Sequence, residues 1–451
     1  MLEENIKNII DRLDEQGIEL LEFIYVDYTG IPRGKTMFLS EVGNHLSAGM
    51  GITKAMPAST MRDEIVSVAG MNAVGEYRLV PDLKSLRTLP YAPTVATMMC
   101  DYRDQDNQKM EFDPRVSLQA VVAEYKELGF EIKMTYESEF TLYQRKPDNS
   151  LEPYNPKICF AAEAMDNAYH FLPKLIKNLR EIGINPVEYY PEAGAGQHEL
   201  PIAPTDPLTA GDNEIRLKRV IKEFFAATEL YATFTPKPNL NSASNGAHIH
   251  MSLWKDGTNV LYDKDDQLEL SQVGYYFVAG LLRHINALLA LTCPTVNSYQ
   301  RLQPGHWSSA YATFGKDNRE AAIRIPSTFR GDRSNSMNIE LKASDATANP
   351  YMALAGILSA GLDGIKNKNT PLTPIDVVPE TLTEDERKEK KISRLPQSLS
   401  EALAALKEDF VLLKTFSNVG IETYAKVKET DIAYFEGKTA AEIAAAHRDV
   451  Y

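Results

Sequence analysis

The chain has 451 residues, with 62 acidic against 48 basic side chains and a net charge of −14. That length accommodates a large domain plus a smaller one, and 43% hydrophobic with 24% charged residues is the balance of an ordinary globular protein. The acidic excess, with no run of Lys or Arg, argues against a nucleic-acid partner; a solvated surface and a site for several divalent cations account for it equally well.

In chain order, residues 1–17 carry an acidic amphipathic helix pattern and not that of a signal peptide. The segment LLEFIYVDYTGIPRGKTM (20–37) predicts two strands joined by a turn at Gly30 to Pro32. Residues 101–115 are polar and helix-poor, placed like a linker, so a first domain is expected over 1–105 and a second over 106–451. Beyond the linker, periodicity predicts helices at 115–128, 162–183, 211–230, 270–293, 347–367, 398–415 and 439–448. Strands are predicted at 131–144, 187–192, 247–254, 320–326 and 337–343, and the Pro- and Lys-rich stretch 370–394 reads as a surface excursion. No fixed-period repeat occurs. The expected class is α+β: a small sheet domain, then a larger one whose antiparallel strands are backed by helices.

Cys100, Cys159 and Cys293 are odd in number and far apart, which predicts buried thiols and neither a disulfide framework nor a zinc site. The most apolar stretch, Tyr275 to Thr292, contains Arg283 and His284, so no membrane partner is expected and the predicted location is cytoplasmic.

Three predicted strands place polar side chains where a buried sheet face would carry apolar ones. In EIKMTYESEFTLY, Glu137 and Glu139 are two apart and share a face. In GAHIHMSLW, His248, His250 and Ser252 share one face, with Ile249, Met251 and Leu253 on the other. In MNIELKAS, Glu340 and Lys342 alternate with Ile339 and Leu341. A solvated sheet face alternates in the same way, so no single strand decides between the two readings. YYPEAGAGQHEL adds Glu192 and Glu199 around a small-residue loop that lacks a dinucleotide fingerprint. NSYQR supplies Arg301, and NREAAIRIP supplies Arg319 and Arg324, although a strand arginine is often only a surface ion-pair partner. Carboxylate and imidazole donors without thiolate suit Mg²⁺ or Mn²⁺, and divalent ions with arginines are what phosphoryl transfer requires.

In order, ExE, E-x6-E ending in GQxE, HxHMSL, NSYxRLxPG, NR-x4-R, ExK and SDATANPYMALAGIL resemble the glutamine synthetase family, closely from about Glu131 to Lys366. The resemblance implies an N-terminal β-grasp domain, a catalytic domain with a curved antiparallel sheet, ATP as substrate and two to three divalent ions per site. One ion would be held by Glu139, Glu192 and Glu199 and a second by Glu137, His248 and Glu340. Arg301 would grip the α-carboxylate of glutamate. Arg319, Arg324 and Lys342 would be catalytic, the two arginines neutralising the transferring phosphate. His250 and Ser252 would lie beside the nucleotide. It also implies a homo-oligomer of stacked rings, usually a dodecamer, with each site between two subunits.

The departures from the family bear on the nucleophile. The family's flap glutamate, which attracts and deprotonates ammonium, is replaced by Trp307 in PGHWSSAY. The ammonium-binding aspartate has no counterpart in HLSAGMGITKAMPASTMR. The glycine-rich loop reads SASNGAH, Lys342 stands where an arginine is usual, and PETLTEDE lacks the adenylylation tyrosine. These changes predict a γ-glutamyl amide ligase for an organic amine, with Trp307 facing the amine at about 0.5–2 kcal/mol. The alternatives are an ammonia-using glutamine synthetase in which Trp307 only packs the flap and another acid is the base, and a catalytically silent ring-forming paralogue. Five carboxylates in one cavity without a cation speak against the silent form.

Overall fold

The alternating segment after the first helix (Leu2–Glu15) forms β1 (Leu20–Val26), which buries Leu21, Phe23 and Tyr25 and makes an antiparallel hairpin with β2 (Pro32–Phe38). The computed structural model describes residues 2–451, and Met1 lies outside it. With β3 (Met50–Thr53), β4 (Glu76–Pro81), β5 (Arg87–Leu89) and β6 (Ala92–Arg103), these strands form a six-stranded sheet. β1 lies parallel to β6 at its centre, with antiparallel partners on either side, the β-grasp arrangement. Three residues of the segment read as a linker, Asp101 to Arg103, belong to β6, so the proposed division at 105/106 falls in the turn after that strand.

Arg115 and Gly30 fasten this sheet to the rest of the molecule. Arg115, buried on the helix Pro114–Glu127, donates to Asp101 at 2.7 Å and Asp82 at 2.8 Å. Gly30 has a left-handed φ of 80°, and a Cβ there would stand 2.3 Å from the Thr347 carbonyl, so only glycine lets the turn approach that closely.

The second sheet has eleven strands: β7 (Glu131–Arg145), β8 (Leu151–Pro153), β9 (Tyr190–Pro191), β10 (Gln197–Glu199), β11 (Leu230–Thr233), β12 (Ala247–Lys255), β13 (Thr258–Asn259), β14 (Tyr311–Lys316), β15 (Ala321–Ile325), β16 (Ile339–Leu341) and β17 (Ser393–Arg394). Its main path runs β17-β14-β15-β16-β12-β7-β10-β9, antiparallel except that β14 and β15 run parallel. Helices cover its apolar face. Three begin with an Asp or Asn cap followed by Pro: Asp113-Pro114, Asp206-Pro207 opening Pro207–Ala226, and Asn349-Pro350 opening Pro350–Asn367. The cap side chain accepts an otherwise unpaired N–H, and the proline occupies a position where none is needed. The helix Gln272–Thr292 is long and apolar enough to span a bilayer, but here it lies in the core with Phe277, Val278, Leu281 and Leu288 buried.

Several elements differ from expectation. The predicted helix 162–183 is two, Ala162–Ala168 and Leu172–Glu181, because Pro173 starts a new first turn. The predicted helix 398–415 divides at Asp409, whose carboxylate accepts from the Val411 and Leu412 N–H groups and caps a second helix. Helix Asn418–Phe435 and strands β10, β11 and β14 have no counterpart among the predicted elements, and only Tyr190–Pro191 of the predicted strand 187–192 is extended.

Candidate active site

Polar residues on five adjacent strands form a ladder across the middle of the large sheet. Arg324 on β15 pairs in register with Glu340 on β16, and Glu340 with His250 on β12. His248 on β12 pairs with Glu137 on β7, and Glu139 on β7 with Glu199 on β10. The period of two puts these side chains on one face, while Ile249, Met251, Leu253, Ile339 and Leu341 pack the other and are at most 2% exposed.

Glu340 is fully buried, and its carboxylate is the hub. Arg324 Nη1 donates to Oε2 at 2.6 Å, while His248 Nδ1, Lys342 Nζ and His250 Nε2 lie 3.4, 3.5 and 3.8 Å from Oε1. Burial, with Lys342 and Arg301 beside it, pushes His248 well below the ordinary imidazole range, so it is neutral. Burial opposes the charge on His250, but Glu137, 3.2 Å away, outweighs it and raises the pKa to about 9. The same ion pair, against burial, lowers Glu137. A neutral and a cationic imidazole thus stand two residues apart.

Glu137, His248 and Glu340 bring one donor atom each to within 4.8 Å of one another, the one such triad among the described residues. Two carboxylates and a neutral imidazole are a donor set for a hard divalent ion. Glu340 Oε1, Arg301 Nη1 and Arg324 Nε are buried without a hydrogen-bond partner, as expected of groups that meet a ligand.

Glu139, Glu192 and Glu199 form a second group, less tightly drawn. Burial and the neighbouring Glu192 raise Glu139 to about 7, and burial with Glu139 and Glu137 holds Glu199 well above the carboxylate range. Carboxylates that resist ionising together are a place where a cation relieves repulsion. Gln197 Nε2 at 2.6 Å and the Gly246 N–H at 2.9 Å fix Glu139 Oε2, and Tyr190 Oη fixes Glu199 Oε1 at 2.6 Å. Glu192 is half-buried and accepts from the Ala193 N–H at the mouth of the loop.

Arg301 is 2% exposed and donates to the Lys342 carbonyl at 3.3 Å, with Nη2 3.4 Å from His248 Nε2. Gly246 makes room for it: a Cβ there would stand 2.6 Å from Arg301 Nη2 and 2.8 Å from His248 Nε2. Ser252 lies one repeat of the strand pleat beyond His250, and its Oγ accepts from Trp254 Nε1 at 2.9 Å. Arg319 is exposed in the turn before β15, outside the ladder. Trp307 is 67% exposed on the loop that leaves Arg301, with a left-handed φ of 54°. Gln197, Tyr190 and Gly246, which orient the predicted residues, are not among those the sequence singles out; Gln197 shares a face with Glu199, the one available signal.

Residues 111–445 match the glutamine synthetase catalytic domain and residues 5–114 the glutamine synthetase N-terminal domain. The chain is 33% identical to a glutamine synthetase of Pyrococcus horikoshii over 90% of its own length and 88% of the relative's. A crystal structure of a novel glutamine synthase homolog superposes with a TM-score of 0.86 at 30% identity, covering 96% of this chain and 99% of that one. An ADP complex of GmaS superposes at 0.83 and 28% identity, covering 95% and 96%.

Proposed function

The chain belongs to the glutamine synthetase family of ATP-dependent carbon–nitrogen ligases, and we propose that it joins the γ-carboxylate of glutamate to an organic amine through γ-glutamyl phosphate. The family uses ATP and divalent metals. Glu137, His248 and Glu340 would hold one ion and Glu139, Glu192 and Glu199 another. Bound there, Mg²⁺ or Mn²⁺ supplies positive charge to the phosphate oxygens.

The residues of this chain account for the remaining steps. Arg301, buried and with Nη1 unpartnered, binds the α-carboxylate of glutamate. The γ-carboxylate oxygen attacks the terminal phosphorus of ATP, and ADP leaves. Arg324 and Lys342, both against Glu340, would neutralise the charge that builds up on the transferring group, with Arg319 joining them from the turn once substrates are bound. His250 and Ser252, one pleat repeat apart on β12, bind the nucleotide. The amine nitrogen then attacks the acyl carbon and phosphate leaves.

The observation that carries the choice of an organic amine is Trp307, two-thirds exposed where the family's ammonium-handling carboxylate stands. Ammonium is small and strongly hydrated and has no apolar area to bury on an indole, whereas an alkyl or aryl amine gains about 25 cal/mol per Å² of apolar area buried. We further propose a cytoplasmic dodecamer of two stacked rings. The test is amide formation with ATP and glutamate against a panel of amines that includes ammonia. An organic amine should show the higher kcat/KM; if ammonia surpasses every amine, the protein is a glutamine synthetase.

A further inference from the structure

The loop that carries Trp307 starts and ends beside the same residue of the site. At its root, Arg301 donates to the Lys342 carbonyl, and at its far end Ser309 Oγ donates to the Ala321 carbonyl at 2.8 Å. The next residue, Ala322, accepts the Lys342 N–H at 2.9 Å. Glu320 lies between the loop and this strand.

Glu320 is 6% exposed, and Oε1 accepts the backbone N–H of Trp307 at 2.8 Å. Among the described residues its carboxylate takes no other hydrogen bond, and no lysine, arginine or histidine pairs with it. Glu340, Glu139 and Glu199 each take a hydrogen bond from a side chain, whereas Glu320 takes one from the backbone alone. Glu320 ends the turn immediately before β15, four residues before Arg324. The backbone bond holds Trp307 in a left-handed conformation while leaving its indole unpacked. A carboxylate and an exposed indole joined by one backbone hydrogen bond supply the two kinds of group that recognise a protonated primary amine.

We propose that Glu320 is the carboxylate that binds the amine as its ammonium ion and removes a proton from it, replacing the missing flap acid. This rests on the ligase reading above. The ammonium gives one proton to Glu320, and the freed nitrogen lone pair attacks the acyl carbon of γ-glutamyl phosphate. The carbon–oxygen bond to phosphate breaks with its electron pair on the leaving group, which carries off the second nitrogen-bound proton. Glu320 then releases its proton to solvent.

The experiment compares wild type with Glu320→Gln, whose amide oxygen still accepts the Trp307 N–H and so preserves the loop. With the preferred amine, kcat/KM should fall about 100-fold, the scale of a lost general base, while KM for glutamate and for ATP stays within about two-fold. Glu320→Asp should recover part of the loss. Hydroxylamine, already neutral at neutral pH, needs no such base, so Glu320→Gln should form γ-glutamyl hydroxamate at close to the wild-type rate. Unchanged amine kinetics in Glu320→Gln overturn the proposal. An equal loss with hydroxylamine, or a parallel rise in all three KM values, also overturns it, by showing that Glu320 only shapes the loop. Wild type that uses hydroxylamine but no protonated amine overturns it too. Wild type inactive with glutamate and every nucleophile instead sinks the ligase reading itself.

Discussion

Replacing Gly246 with alanine tests whether Arg301 is the carboxylate grip. The new Cβ would lie 2.6 Å from Arg301 Nη2 and 2.8 Å from His248 Nε2, which is 0.8 and 0.6 Å inside the 3.4 Å at which ordinary contact begins. Arg301 is 2% exposed and cannot swing into solvent, so the guanidinium must slide by most of an ångström, breaking its 3.3 Å bond to the Lys342 carbonyl. Overpacking of this kind costs about 1–3 kcal/mol of stability. A displacement near 1 Å at a positioning group costs on the order of 100-fold in rate. Because the same Cβ presses on His248, kcat falls as well, but the lost grip on the acid should appear as a rise in KM for glutamate of roughly 10- to 100-fold, larger than any change in KM for ATP. Steady-state amide formation with each substrate varied in turn measures both, and urea unfolding gives the stability change. An unchanged glutamate KM in a folded Gly246→Ala protein would show that Arg301 does not bind the acid substrate.

Glu139→Ala should abolish ATP turnover while leaving a folded oligomer by light scattering, since one carboxylate of the second ion-binding group is gone; wild-type turnover would refute that group. Glu340→Ala leaves the buried Lys342 and the half-buried Arg324 without their shared anion, so it should cost about 3–5 kcal/mol in urea unfolding, and a cost below about 1 kcal/mol would deny the hub its structural role. Burial disfavours charge on His284, but Asp409 at 2.6 Å and Asp363 at 3.3 Å outweigh it and raise its pKa. Its stabilisation is therefore complete below the unfolded value of about 6.5 and lost as pH rises through the folded value. Burial acts against Asp409, but His284 lowers its pKa, so its share is present above the unfolded value of about 3.9 and lost only as pH falls through the depressed one. The stability difference between wild type and His284→Gln should thus be largest between about pH 4 and 6.5 and shrink above that; a difference flat to alkaline pH would refute the ion pair.

The ladder is legible in the sequence because long strands carry their own parity. Glu137 with Glu139 and His248 with His250 announce a shared face by spacing alone, and the registers of β7, β12 and β16 align them. Elements of two or three residues give no such signal, which is why β10 escapes a reading by periodicity although Glu199 stands in it, and why the bounds of β9 are not legible. Helix Asn418–Phe435 escapes for the opposite reason: it buries Thr423, Lys428 and Asp431, so polar residues interrupt the stripe by which a helix is recognised. Glu320 looks like an ordinary turn acid beside Asn318 and Arg319. Only the fold shows that it is buried and that the loop of Trp307 rests on it.

The arrangement of the ladder also divides the molecule by what kinds of change it can absorb. Ile249 and Met251 fill the core with the same strand that presents His248 and His250. Adding or deleting one residue within β12 would exchange those roles, sending imidazoles into hydrocarbon and isoleucine into the site. The segment from Leu302 to Ser309 carries no strand parity; it is held by the Gln303–Ser308 bonds within it and by the bonds of Trp307 to Glu320 and Ser309 to Ala321. Length and composition can vary there without disturbing phosphate chemistry. A family built this way can hold one reaction fixed while the nucleophile it accepts drifts, and an engineer seeking new amines should diversify the loop and leave the strands untouched.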